Sequence, residues 1–163
     1  MDKTNDSREV IYRATEVVFP DFSDVHVPAK IDTGAYRSAI HATDIRLDEN
    51  QVLHFRILGD HPVCKDAAFE ASTDKYNIAS ISNSFGDNVE RYEVSLRVKI
   101  GNQEYDTPFT LADRSKKMYP ILLGRKALRK RFIIDIDKTG VDRLALKERF
   151  NIELPEDEET EDD

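Results

Sequence analysis

Apolar side chains recur at every second position through most of the chain, the spacing expected of strands with one buried face. The clearest case is VSLRVKI at residues 94–100. Short runs rich in β-branched residues predict further strands at residues 10–18, 25–31, 52–57, 109–111, 120–123 and 132–136. Turn-forming residues separate the runs, and Gly101-Asn102 predicts a tight hairpin. The pattern indicates an all-β sandwich or barrel.

One segment favours a helix instead. Residues 125–131 (RKALRKR) lack β-branched side chains and contain good helix formers, which predicts a single short helix. Residues 141–150 fit either a second helix or a final strand. The basic side chains of the first segment are interpreted as a solvated helix face, because no aromatic platform lies beside them, and no nucleic-acid partner is expected.

Length and charge add a domain organisation. The 163 residues fit one domain, predicted at residues 9–153 after a flexible N-terminus at 1–8. The formal charge is −8, but residues 156–163 alone contain seven carboxylates, so the remainder is close to neutral. Residues 154–163 are therefore predicted to be a disordered acidic tail, with an acidic interaction tail as the alternative.

Cysteine usage and hydropathy indicate a compartment. Cys64 is the single cysteine of the sequence, and a lone thiol fits a reducing environment. The first ten residues resemble no signal peptide, and no apolar run approaches a membrane span. A cytoplasmic protein without membrane contact is expected. Cys64 could act as a nucleophile with His54 or His61 as its base, but no nucleophile elbow or cysteine-protease motif surrounds it, so it is interpreted as inert.

The strongest chemical signal is Asp32-Thr33-Gly34, which directly follows the apolar strand ending in Ala29-Lys30-Ile31. Two carboxylates brought together cannot both ionise, so a pair can share one proton and perform acid–base chemistry on water. Thr33 would hold a facing loop, and the Gly34 amide would bond the carboxylate. Taken alone, the tripeptide is better explained by an ordinary Asp-x-Gly turn.

A second motif follows much later in the chain, PILLGRKAL at residues 120–128. An apolar strand ends in Gly124 and Arg125 and leads into the predicted helix. Glycine at such a position allows two backbones to approach closely. The alternative interpretation is a buried strand that simply ends at a helix.

Together, AKIDTGA and PILLGRKAL resemble the retropepsin-like aspartic proteases. The likeness is greatest to the bacterial single-domain family often labelled ATP-dependent zinc proteases, and it extends over residues 10–137. No His-Glu-x-x-His motif or Walker loop is present, so the resemblance implies an aspartic mechanism without zinc, ATP or another cofactor. It also implies a closed β-barrel and a functional link to an ATP-grasp glutamate ligase.

The resemblance assigns several further residues. Asp32, Thr33 and Gly34 are the expected catalytic loop, supported by Ala35, Gly124 and Arg125. A substrate-covering flap is implied at residues 78–90, with Ser84, Phe85 and Gly86 near its tip; a plain surface loop is the equal alternative. Retroviral relatives have an acidic residue where this chain has Tyr36, so Arg125 is expected to pair with Asp113 or Asp135. His41 matches a family position and is interpreted as structural.

Three functions compete. The leading hypothesis is a peptidase in which two copies of the chain each contribute Asp32, because no second Asp-Thr-Gly or Asp-Ser-Gly occurs in the sequence. Its substrate would be a peptide or protein. The alternative is a catalytically inactive peptide-binding or interaction module on the same fold. A cation site is disfavoured, because the carboxylates lack the ligand spacing of a calcium or zinc site.

Overall fold

The computed structural model describes residues 6–82 and 85–150. The predicted acidic tail at 154–163 therefore lies outside the described residues. Two helices, α1 (Arg125–Leu128) and α2 (Arg143–Phe150), occur in these ranges, and neither is long and apolar enough to span a bilayer. A short 3-10 turn covers Lys65–Ala67. The strands are β1 (Glu9–Ile11), β2 (Ala14–Val18), β3 (Val27–Ile31), β4 (Ser38–Leu47), β5 (Leu53–Ile57), β6 (Phe69–Thr73), β7 (Asn77–Ser82), β8 (Asn88–Ile100), β9 (Gln103–Ala112), β10 (Ile121–Leu123) and β11 (Phe132–Ile134).

Six strands pair in a closed ring. The order β10-β3-β2-β8-β9-β4 returns to β10, because β4 pairs antiparallel with β10 as well as parallel with β9. β5 and β6 extend the sheet from β4, β7 pairs with β8, and β1 and β11 form a separate two-stranded parallel sheet. The predicted all-β class is confirmed.

The core fills the inside of this ring, as the alternating pattern predicts. In β8, Val94, Leu96, Val98 and Ile100 are all buried, while the residues between them reach solvent to differing degrees. The hairpin at Gly101-Asn102 is confirmed, since Ile100 pairs with Gln103 across it. Gly101 has a φ of 57°, the left-handed conformation that such a turn requires and glycine adopts readily.

The single strand predicted at residues 10–18 is wrong. The chain leaves β1, which pairs with β11, and enters β2, which pairs with β3. At the junction, the amides of Arg13 and Ala14 donate to the carbonyls of Lys138 and Thr139. Apolar or β-branched residues stand on both sides of the junction, so the sequence shows no break, although the buried residues Ile11, Ala14 and Val17 lie three positions apart.

The helix prediction needs two corrections. α1 ends at Leu128, and Lys130 has a φ of 70°, so residues 129–131 turn back towards β11 rather than continue the helix. The segment left open at residues 141–150 contains α2, a second helix. α2 buries Leu146 and Phe150 in a small apolar cluster that also includes Ala14, Val63, Met118 and Tyr119.

Candidate active site

The two sequence motifs lie side by side. β3 and β10 pair in parallel, with Ile31 opposite Leu123. Directly after this pair, the amide of Asp32 donates to the carbonyl of Leu123 at 2.9 Å. β3 and β10 therefore end side by side, and the loop that contains Asp32 begins at this common end.

The loop itself holds the carboxylate. The Gly34 amide donates to Oδ1 of Asp32 at 2.9 Å, and the Ala35 amide donates to the Asp32 carbonyl at 3.2 Å. A Cβ on Gly34 would lie only 3.2 Å from that same Oδ1, so glycine permits the close approach. Asp32 is half-buried, whereas Thr33 and Gly34 are exposed. The arrangement orients one carboxyl oxygen while keeping the loop at the surface.

Gly124 lies directly against the far end of this loop. A Cβ there would come within 2.5 Å of the Arg37 carbonyl oxygen and 2.7 Å of the Tyr36 carbonyl oxygen. The Gly124 amide donates to Oγ of the buried Ser38 at 3.0 Å. The close backbone approach predicted from the second motif is therefore present, and both partners directly follow the first motif.

The first turn of α1 also bonds the Asp32 loop. The amide of Arg125 donates to the Ala35 carbonyl at 2.8 Å, and the amide of Lys126 donates to the Tyr36 carbonyl at 3.0 Å. Amide groups at the start of a helix have no partner within the helix, so carbonyls of a neighbouring loop satisfy them. The supporting positions Ala35, Gly124 and Arg125 thus all contact the loop through the backbone.

The predicted partners of Arg125 are wrong. Its Nη1 donates to the Thr33 carbonyl at 3.0 Å, and its guanidinium lies 5.8 Å from the centre of the Tyr36 ring. Asp113 instead accepts hydrogen bonds from Ser115. Tyr36 occupies the position that is acidic in retroviral proteases, and its ring face attracts the cation without forming an ion pair.

An ion pair that the sequence did not predict lies beside the loop. Nη1 of Arg37 lies 2.6 Å from Oε2 of Glu93, whose side chain is only 4% exposed. Glu93 and Val94 are both buried although they are neighbours in β8. Consecutive side chains of a strand normally face opposite sides. The alternating pattern therefore gave no reason to expect a buried carboxylate at this position.

Comparison with known proteins agrees with these features. Residues 11–143 match the RimB-like family, described as the retropepsin-like aspartic endopeptidase RimB. The chain belongs to this family. A crystal structure of a Legionella pneumophila protein of unknown function superposes with a TM-score of 0.64 over 83% of this chain and 98% of that protein. At 23% identity, that likeness shows a shared fold.

Curated relatives of this RimB-like chain are much longer than it is. A probable alpha-L-glutamate ligase of Shewanella pealeana is 24% identical over 80% of the chain and 29% of its own length. A probable alpha-L-glutamate ligase of Desulfotalea psychrophila is 30% identical over 72% of the chain and 26% of its own length. The chain thus spans less than a third of these relatives.

The segment implied to be a flap is a hairpin in this RimB-like structure. β7 and the first part of β8 pair antiparallel from Asn77 opposite Glu93 to Ser82 opposite Asn88. Phe85 is 88% exposed, and Gly86 has a φ of 82°. Ser84 lies outside the described residues. The role of this hairpin as a substrate cover stays a prediction.

His41 is a buried structural residue, as interpreted from the sequence. Its side chain is 3% exposed, and Nδ1 accepts the Arg114 amide at 2.9 Å. Burial lowers the pKa of His41, so its imidazole is neutral at physiological pH. His61 packs edge-on against it, with ring centres 5.4 Å apart.

Cys64 is a buried thiol. Burial raises the pKa of Cys64 to about 12, so the reactive thiolate is essentially absent near neutral pH. This burial agrees with the inert interpretation. Among the described residues, no three His, Cys, Asp or Glu side chains are grouped so as to hold a metal ion.

Proposed function

We propose that the chain is an aspartic peptidase that hydrolyses peptide or amide bonds as a homodimer, with one Asp32 from each copy. The observation that carries the proposal is the hydrogen bond from the Gly34 amide to Asp32 Oδ1, within a loop braced by Leu123 on one side and α1 on the other. Pre-oriented groups of this kind avoid reorganisation during the reaction.

The chemistry requires two carboxylates and one proton. With both Asp32 side chains in hydrogen-bond contact, one is ionised and the other protonated, since like charges at that distance cannot both persist. The ionised member removes a proton from water, and the protonated member donates its proton to the substrate carbonyl oxygen as the water oxygen attacks carbon. Proton return to the amide nitrogen then breaks the C–N bond.

Each residue of the loop has a role in this scheme. Gly34 fixes the rotation of the Asp32 carboxyl group, which leaves Oδ2 to meet the partner's carboxyl or the water. Thr33 is exposed at the surface and would face the second loop across the dimer axis. Phe85 and Gly86 on the β7–β8 hairpin, with Ser84, would cover the bound peptide and exclude water.

The relatives suggest a substrate and a partner. Proteins named probable alpha-L-glutamate ligases contain the matched region within a longer chain. A hydrolase that is functionally linked to an enzyme that forms glutamyl amide bonds would hydrolyse those same bonds. Peptides of α-linked glutamate are therefore the first substrates to test. Arg125 lies exposed beside the loop and adds positive charge suited to acidic peptides. A glutamate ligase is the proposed functional partner.

The test compares wild type with Asp32→Asn on α-linked glutamate oligomers and on glutamine oligomers of equal length. The wild-type dimer is expected to cleave the glutamate oligomers, and the variant to lose cleavage while keeping fold and dimer mass, because Asn is nearly isosteric with Asp. Cleavage should survive a chelator. Full activity in Asp32→Asn, or loss on chelation restored by zinc, would refute the aspartic mechanism.

Binding of peptide without cleavage would instead favour the inactive binding module. Sedimentation distinguishes the two, since a chain that stays monomeric at assay concentrations cannot assemble the pair of carboxylates.

A further inference from the structure

The Arg37–Glu93 ion pair joins two elements that the proposed reaction must align. Arg37 ends the loop that begins at Asp32, and Glu93 lies in β8 at the base of the β7–β8 hairpin, opposite Asn77. Nη1 and Oε2 are 2.6 Å apart. The pair therefore spans from the candidate catalytic loop to the hairpin that would cover its substrate.

Buried polar groups continue from this pair towards the second motif. Glu93 is paired with Thr110 of β9, and Thr110 Oγ1 donates to the Ser38 carbonyl at 3.1 Å. Ser38 Oγ in turn accepts the Gly124 amide. Glu93, Thr110 and Ser38 are all buried, so buried polar side chains are found between the hairpin base and Gly124.

Such a pair is a poor device for stability alone. The Glu93 carboxylate is buried and loses its hydration, whereas the Arg37 side chain is 38% exposed. Replacing an ion pair that contains a buried charge by apolar side chains of similar volume is often neutral or stabilising. Unlike an apolar contact, a short charged hydrogen bond fixes both the distance and the orientation of the two groups. A function in positioning explains why a charged pair lies here.

We propose that Arg37 and Glu93 are positioning residues that hold the Asp32 loop in register with the base of the β7–β8 hairpin. The role rests on the proposed peptidase function, in which a misplacement of about 1 Å can lower turnover on the order of 100-fold. The pair is not placed to contact the scissile bond, and it acts through the backbone of residues 32–37.

The decisive variant is Arg37→Met/Glu93→Leu, which removes both charges together. Arg37→Met alone leaves a buried carboxylate without its partner and is expected to lower the melting temperature strongly. The double variant should recover a melting temperature close to that of wild type. Its kcat on the cleaved peptide should nevertheless remain about tenfold or more below wild type, with KM much less affected. Arg97→Met is the control for loss of an arginine charge. Arg97 lies in β8, as Glu93 does, but its ion pairs with Glu104 and Asp106 are exposed.

Amide exchange provides a readout that does not require activity. In the double variant, the Gly34 amide, which is bonded to Asp32 Oδ1, should exchange about tenfold faster while global stability is retained. A double variant with wild-type kcat, or with unchanged exchange at Gly34, would overturn the positioning role. If wild type cleaves nothing, the proposed function fails, and the exchange rate alone still decides whether the pair positions the loop.

Discussion

Replacing His61 with glutamine should flatten the pH dependence of the free energy of unfolding between pH 4 and 6.5. The His61 imidazole is fully buried, with Nε2 donating to the Lys117 carbonyl at 2.8 Å and Nδ1 accepting the Val63 amide at 3.2 Å. Both ring nitrogens are thus satisfied in the neutral form. Protonation at Nδ1 would set one N–H donor against another.

The environment of His61 determines the size of the effect. Burial lowers the pKa of His61 from 6.5 to about 4; the hydrogen bond to the Lys117 carbonyl opposes this shift, and the nearby His41 adds to it. Between those pH values the unfolded chain binds a proton that the folded chain does not. Stability therefore falls as pH is lowered from 6.5 to 4, by up to about 1.4 kcal/mol per pH unit and about 3 kcal/mol in total. Above this window the group contributes no pH dependence.

Urea unfolding followed by circular dichroism at several pH values measures this slope. His61→Gln keeps a donor for the Lys117 carbonyl but cannot titrate. It should lose about 1–3 kcal/mol at pH 7 through altered packing and hydrogen bonding, yet decline less steeply towards pH 4. His26→Gln, at an exposed position, controls for the loss of an imidazole. Parallel stability curves for wild type and His61→Gln would refute the reasoning.

Three further substitutions or probes test the structure. Tyr105→Phe removes a buried hydroxyl that donates to the Ala127 carbonyl at 2.8 Å and should lower the free energy of unfolding by about 1 kcal/mol in urea titrations. Gly124→Ala should lower the melting temperature severely, because the added Cβ would meet the Arg37 carbonyl. The φ of −90° at Gly124 suits any residue, so the contact alone causes the effect. A melting temperature equal to that of wild type would disprove the close contact. Cys64 should react with a thiol reagent only after unfolding, and rapid labelling of the native protein would contradict its burial.

The sequence predicted the elements that local pattern determines. The alternation at residues 94–100, the Gly101-Asn102 turn and the strand entering Asp32 are all found. Gly124 was expected to permit a close backbone approach, and it does so against the carbonyls of Tyr36 and Arg37. Each of these follows from side-chain period or from the absence of a Cβ, which are properties of a few neighbouring residues.

Features that depend on distant pairing could not be predicted in the same way. The break between β1 and β2 depends on hydrogen bonds to residues 138–139. The burial of Glu93 depends on its ion pair with Arg37. Arg125 found the Thr33 carbonyl and the Tyr36 ring rather than a carboxylate. In every case the partner lies far away in sequence, and no period or spacing identifies it before the fold is known.

The buried His61 bears on how the proposed acid limit of activity should be interpreted. A pair of Asp32 carboxylates needs one shared proton, so activity should fall on both sides of an optimum. The fold also loses stability as pH falls towards 4, because His61 resists protonation. Either cause can produce an acid limb. The pH–activity profile of His61→Gln distinguishes the two causes. If the acid side of the profile moves to lower pH, loss of folding stability sets it. If it stays in place, protonation of the paired carboxylates sets it.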